Sequence, residues 1–187
     1  MRTLIAGIVA GVVVFVWGAV SHMLLPTGSM GLQVLPGEDA VIAALRQNVT
    51  APGVYFFPGA DMSRKMTPEE ERVWTAKLTQ GPVGLLVYRT TGSPLSARQL
   101  VIELLSNIAA AIVAAIVLSR TVAGYGARVV ITTLLGLFAW LSISVSYWNW
   151  YGFSQPFEIA ELIDQVGGWL FGGLVLGKLA PTRAANG

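Results

Sequence analysis

A chain of 187 residues that is 54% hydrophobic and only 12% charged, with 21 glycines, lies far from the averages of soluble domains and has the composition of a membrane protein. Its formal net charge of +2 comes from basic residues scattered singly, which excludes a nucleic-acid-binding patch, and the absence of cysteine excludes disulfides, thiolate metal sites and cysteine nucleophiles. The length accommodates four spans of ~20 residues each plus one folded loop, so the helix bundle itself has to form the core.

The expected fold class is an all-α integral membrane protein, a four-transmembrane-helix bundle with a small α+β extracytoplasmic cap between helices 1 and 2. Residues 1–25 are the first transmembrane helix, 26–97 an extracytoplasmic loop domain, 98–180 transmembrane helices 2 to 4, and 181–187 a cytoplasmic tail. The first span runs from Thr3 to Leu25 and stops at Pro26. Its apolar stretch exceeds the about 7–15 residues of a signal-peptide core and no A-x-A-like cleavage site closes it, so it reads as a retained anchor.

In the loop, Glu38 to Gln47 reads as a short helix, and Thr67-Pro68-Glu69-Glu70 has the N-cap, first-position proline and early acids of a helix that continues to Thr79. Val54 to Phe57 and Val83 to Tyr88 read as strands bounded by proline and glycine. The pair is compatible with a parallel crossover or an antiparallel arrangement. Tyr55, Phe56, Phe57, Trp74 and Tyr88 exceed what a solvated loop requires, so the cap is expected to pack on the bundle or on a partner. Asn48-Val49-Thr50 matches a glycosylation sequon, which matters only in a eukaryotic secretory pathway.

The second span runs from Leu100 to Leu118, introduced by Ser96 and Gln99 at capping-box spacing and closed by Arg120. The third runs from Val129 to Tyr147, and the fourth from Phe157 to Leu179 between Pro156 and Pro181. Arg2, Arg120, Arg128, Lys178 and Arg183 fall on one side of the membrane, whereas the Trp148–Pro156 connection carries no lysine or arginine. Positive residues are retained in the cytoplasm, which places both termini there and residues 26–97 outside.

Projection at about 100° per residue separates a polar, small face from a bulky one on every span. The small faces carry Gly7, Gly11, Gly18, Ser21 and His22 on the first, and Glu103, Ser106, Asn107, Ala110 and Ala114 on the second. The third offers Ser142, Ser146 and Asn149, and the fourth Glu158, Glu161, Asp164, Gln165, Gly168 and Gly172. Small residues let helix backbones approach closely in lipid, so these faces are expected inward, with Gly7, Gly11, Gly18, Ala110, Ala114, Gly168 and Gly172 as packing positions.

Because successive helices alternate in direction, the polar members of these faces gather at the outer end. His22, Glu103, Asn107, Asn149, Glu158, Glu161, Asp164 and Gln165 form the expected ligand- or ion-binding vestibule. The plainer account sets Glu158 and Glu161 at headgroup level in a helix first turn, where acids complement the dipole. It covers Glu158 well and Glu103 in part, and Asp164 and Asn107, each deeper in its helix, less well. His22, Glu161 and Asp164 are also candidate metal ligands, a mixed nitrogen and oxygen set suited to zinc, copper(II), iron or manganese. One histidine excludes a self-contained bis-histidine haem, and no cofactor is identified. The aromatic run from Trp140 to Tyr151 reads as an interfacial belt, or as a stacking surface for a quinone, lipid or pigment.

Three functional classes follow. The first expectation is a non-catalytic accessory or assembly component of a larger membrane complex, with membrane lipids and other subunits or further copies of itself as partners. The second is binding or translocation of a cation, proton or small polar ligand through the acidic vestibule. The third is a membrane-embedded acid/base enzyme, for which the chain supplies no nucleophile with a paired base, phosphate-binding glycine loop or HExxH-like helix.

Overall fold

The computed structural model describes residues 1–61 and 63–182. Arg183, counted above toward orientation, and the rest of the expected tail from 183 onward lie outside the described residues. In chain order the elements are α1 (Arg2–Met23), α2 (Glu38–Asn48), β1 (Gly53–Phe57), α3 (Pro68–Gln80), β2 (Gly84–Tyr88), α4 (Ala97–Ser119), α5 (Tyr125–Ala139), α6 (Val145–Tyr151) and α7 (Gln155–Leu179). A 3-10 turn occupies Pro26–Ser29, and a π-helical segment, Trp140–Ser144, joins α5 to α6. The chain forms two compact units, one of Met1–Leu32 with Leu95 onward and one of Gln33–Pro94.

The first unit contains four helices long and apolar enough to cross a membrane: α1, α4, α5 continued through α6, and α7. Their starts follow from local chemistry. Ser96 Oγ accepts from the Gln99 backbone N–H at 3.2 Å while Gln99 Oε1 accepts from the Ser96 N–H at 3.1 Å, the expected capping box at the head of α4. Ser154 caps α7, with Pro156 in its first turn, where a missing N–H costs nothing.

Side by side, the helices run α4, α1, α7, α5, with α1 in contact with α4 and α7 and only slight contact between α4 and α5. Close approach at the α1–α4 seam explains the glycines four apart in α1. A Cβ on Gly7 would stand 2.5 Å from the Ile112 side chain, and one on Gly11 would meet the backbone of Ile108. Around that seam the buried core is largely alanine: Ala6, Ala10, Ala111, Ala114 and Ala115. Gly168 and Gly172 likewise receive Trp17 and Val14 of α1. One expected packing position needs correction: a Cβ on Gly18 would meet nothing within 4 Å, whereas Ala110 is half-buried beside the fully buried Ala111.

The third span carries the main departure from regular geometry. From Arg128, about 100° per residue returns Ser146 and Asn149 to within about 60° of its face. The π-helical segment contains one extra residue per turn and rotates everything beyond it by about that same angle. Ser144 is therefore buried, and Ser142, Ser146 and Asn149 are exposed. At the opposite end of the unit, Arg128 is 5% exposed and donates to the carbonyls of Gly177 at 2.8 Å, Leu176 at 3.2 Å and Ala180. The Leu176 carbonyl also accepts from the Ala180 N–H at 3.0 Å, whereas Gly177 and Ala180 lie past the last intrahelical donor, so this arginine closes the helix as a side-chain cap.

In the second unit β1 and β2 pair antiparallel, Gly53 opposite Tyr88 through Phe57 opposite Gly84, which resolves the open question of their direction. The α3 start has both halves of a capping box, with the Glu70 N–H donating to Thr67 Oγ1 at 3.3 Å and the Thr67 N–H to Glu70 Oε2 at 2.8 Å. Arg64 grips the same carboxylate at 2.6 and 3.0 Å, and Trp74 Nε1 donates to the Pro58 carbonyl at 3.0 Å. No described residue of this unit is fully buried, so its order depends heavily on these polar contacts.

Two outcomes are expected. Gly11→Val should lower unfolding stability in detergent by about 1–3 kcal/mol through overpacking, while Gly18→Ala should change it by less than about 0.5 kcal/mol. In the second unit, Arg64 and then the Thr67 N–H and hydroxyl hold the Glu70 carboxyl down to about 2 from 4.5. Since the folded value is the lower one, its contribution is complete above about 4.5 and lost as pH falls toward about 2. Amide exchange of α3, corrected for intrinsic rate, should show protection falling over that window in the wild type and no such step in Glu70→Gln.

Candidate functional site

Two clefts open where α1 ends and α4 and α7 begin. The first, about 210 Å³, lies between the last turn of α1, the Pro26–Ser29 turn and the first turns of α7, with Ser21, His22, Thr27, Phe157, Glu161 and Asp164 among its walls. The second, about 100 Å³, lies between α1, α4 and α7 and is lined by Trp17, Gly18, Glu103, Asn107, Asp164, Gln165 and Gly168 among others. Asp164 is a wall of both.

Local sequence makes this geometry. Pro26 stops α1, and the chain folds back because Thr27 Oγ1 donates to the Ser21 carbonyl at 2.5 Å and lies 2.9 Å from Ser21 Oγ. Gly31 then passes close against Phe157 with φ of +77°, where a side chain would be strained and would clash. On α7, Phe157, Ala160, Glu161 and Asp164 follow helical spacing and present one face to the first cleft, while Gln165 and Gly168 turn toward the second.

The polar contacts are few. His22 Nδ1 donates to the Gly18 carbonyl at 3.0 Å and stands 4.0 Å from Asp164 Oδ1, close enough for an ion pair when the imidazole is protonated. Asp164 Oδ1 is buried and has no hydrogen-bond partner among the described residues. Asn107 Nδ2 donates to Glu103 Oε1 at 3.1 Å. Trp17 Nε1 donates to the Asp164 backbone carbonyl at 3.1 Å, and its ring covers Gly167 and Gly168. That bond ties the α7 backbone to α1 at the very residue whose side chain is left without one.

Of the eight expected vestibule residues, His22, Glu103, Asn107, Glu161, Asp164 and Gln165 line the clefts. Two do not. Asn149 is exposed on α6, carried away by the π-helical segment, and α6 has little contact with α7. Glu158 is 6% exposed yet lines neither cleft, and both its carboxylate oxygens lack a hydrogen-bond partner among the described residues. Its backbone carbonyl accepts from Trp140 Nε1 at 3.0 Å. The proposed metal set also needs correction. Among the described residues no three His, Cys, Asp or Glu side chains converge as a metal site requires, and the Nδ1 of His22 is engaged by Gly18.

Sequence reasoning missed the residues that hold this end together. Trp17, Trp140 and the Ser21–Thr27 pair act through backbone carbonyls, and a buried indole N–H in need of a partner was the available signal for the tryptophans. The Ser21 hydroxyl is engaged with Thr27, not with the adjacent His22, so it is no base-activated nucleophile. What remains is Glu161 and Asp164 with His22 in the first cleft, and Glu103 with Asp164 in the second, an arrangement able to hold protons or a cation. Compared with protein-family models, curated proteins and solved structures, the chain matches none.

One measurement tests the isolation of Glu158. Its two oxygens lack partners, so Glu158→Met should leave unfolding stability in detergent unchanged or raise it by about 1–3 kcal/mol. A loss beyond about 1 kcal/mol would mean that the carboxylate is paired in the membrane.

Proposed function

We propose that this multi-pass chain binds a proton or a small cationic ligand in the twin clefts shared by α1, α4 and α7. The observation that carries this reading is Asp164: it borders both clefts, its Oδ1 is buried without a hydrogen-bond partner, and its backbone is pinned by Trp17. A carboxylate held so is ready to accept charge from outside the chain, and burial makes an unanswered acceptor costly. Glu161, His22 and, across the second cleft, Glu103 set the balance of charge around it. In the orientation that Arg2, Arg120, Arg128 and Lys178 favour, both termini are cytoplasmic, residues 26–97 are extracytoplasmic, and the clefts open outward.

The second reading, an accessory or assembly subunit, draws on exposed apolar surface: Trp150 is 75% exposed, and Val54 and Val87 of the sheet 67% and 68%. It loses one support, because Gly7, Gly11, Gly168 and Gly172 are covered from within the chain and offer no smooth face to another subunit.

Thermal unfolding of the purified chain against alkali cations, alkaline-earth cations and small amines, from pH 5 to 8, separates the two. A ligand- and pH-dependent rise in midpoint that disappears in both Asp164→Asn and Glu161→Gln is the expected result. Indifference of the wild type to every cation, together with co-purification of other subunits, would replace this reading with the accessory one.

A further inference from the structure

We infer that the groove between α1, α5 and α7, at the end opposite the clefts, is a binding site for one anionic phospholipid. It measures about 430 Å³ and is lined by Val9, Tyr125, Leu174, Val175, Lys178 and Leu179. That volume falls in the range of about 300–1,000 Å³ typical of small-molecule sites. Four of the six walls are aliphatic and suit an acyl chain, and Lys178 and Tyr125 supply a cation and a hydroxyl donor.

Charge complementarity selects the occupant. Every carboxylate of the described residues lies in the loop unit or near the opposite end of the helical unit, whereas Arg2, Arg120, Arg128 and Lys178 belong to this end. Lys178 makes no hydrogen bond or ion pair among the described residues. Arg128 already occupies the carbonyls of Leu176, Gly177 and Ala180, so these last-turn acceptors are not free to hold the ammonium. The groove has its shape because Gly177 has no side chain: the Tyr125 ring lies 2.8 Å from where a Cβ would sit and packs directly on α7. A phosphate reaching Lys178 and Tyr125 while its chain follows Val9 and Leu174 uses all these features together, and a lysine beside an apolar groove between membrane helices offers an anionic headgroup and its acyl chain one partner each.

The test is native mass spectrometry of the full chain in detergent with phosphatidylglycerol and phosphatidylcholine of identical acyl chains. The wild type is expected to retain phosphatidylglycerol preferentially. Lys178→Gln, at an exposed position that leaves packing intact, should reduce that preference about five-fold, and Lys178→Arg should keep it. Equal retention of the two lipids by the wild type, or an unchanged preference in Lys178→Gln, would overturn the proposal. Retention of lauric acid as strong as that of phosphatidylglycerol would also overturn it, by making the groove a fatty-acid site.

Discussion

Direct backbone contact between helices is the constraint on which the helical unit depends. In lipid, apolar surface gains little by leaving its surroundings for another helix, so association rests on dispersion over closely fitted surfaces. The α1–α4 seam achieves this with Gly7 and Gly11 against Ile108 and Ile112, lined by fully buried alanines. Because α1 also packs on α7, its placement sets where Trp17 reaches α7, and Trp17 in turn fixes the Asp164 backbone. The clefts thus derive from the seam.

Side-chain donors reach backbone carbonyls of α7 at both ends of the unit, with opposite electrostatic results. Arg128 covers the last carbonyls of α7 and leaves one end basic. At the other end, indole N–H groups from Trp17 and Trp140 reach carbonyls near the start of α7, and these neutral donors add no positive charge beside the carboxylates. Asp164 has its backbone held by Trp17, while its buried Oδ1 accepts no hydrogen bond and has the His22 imidazole 4.0 Å away as its ion-pair partner.

How much of this was legible varied with the range of the interaction responsible. The four apolar helices, the Ser96–Gln99 capping box, the Thr67 helix start and both strands depend on neighbours within a few residues, and they stand within a few residues of where the sequence placed them, the third helix running four residues further at each end. Glu161 and Asp164 could be assigned to one face because α7 is regular between them. Asn149 could not be placed, because one extra residue in the Trp140–Ser144 segment rotates all that follows, and whether a helix admits such a residue depends on what packs against it.

The sequence by itself determined that four helices are long and apolar enough to cross a membrane, which residues start α4 and α7, and that acids and a histidine gather toward one end. These are properties of composition and of periods shorter than two helical turns. Only tertiary structure decided that the helices stand in the order α4, α1, α7, α5, that the strands run antiparallel, and that Asp164 joins two clefts while Glu158, six residues earlier, faces neither. Those outcomes depend on which helix lies against which, and small residues such as glycine and alanine permit close contact without specifying the partner.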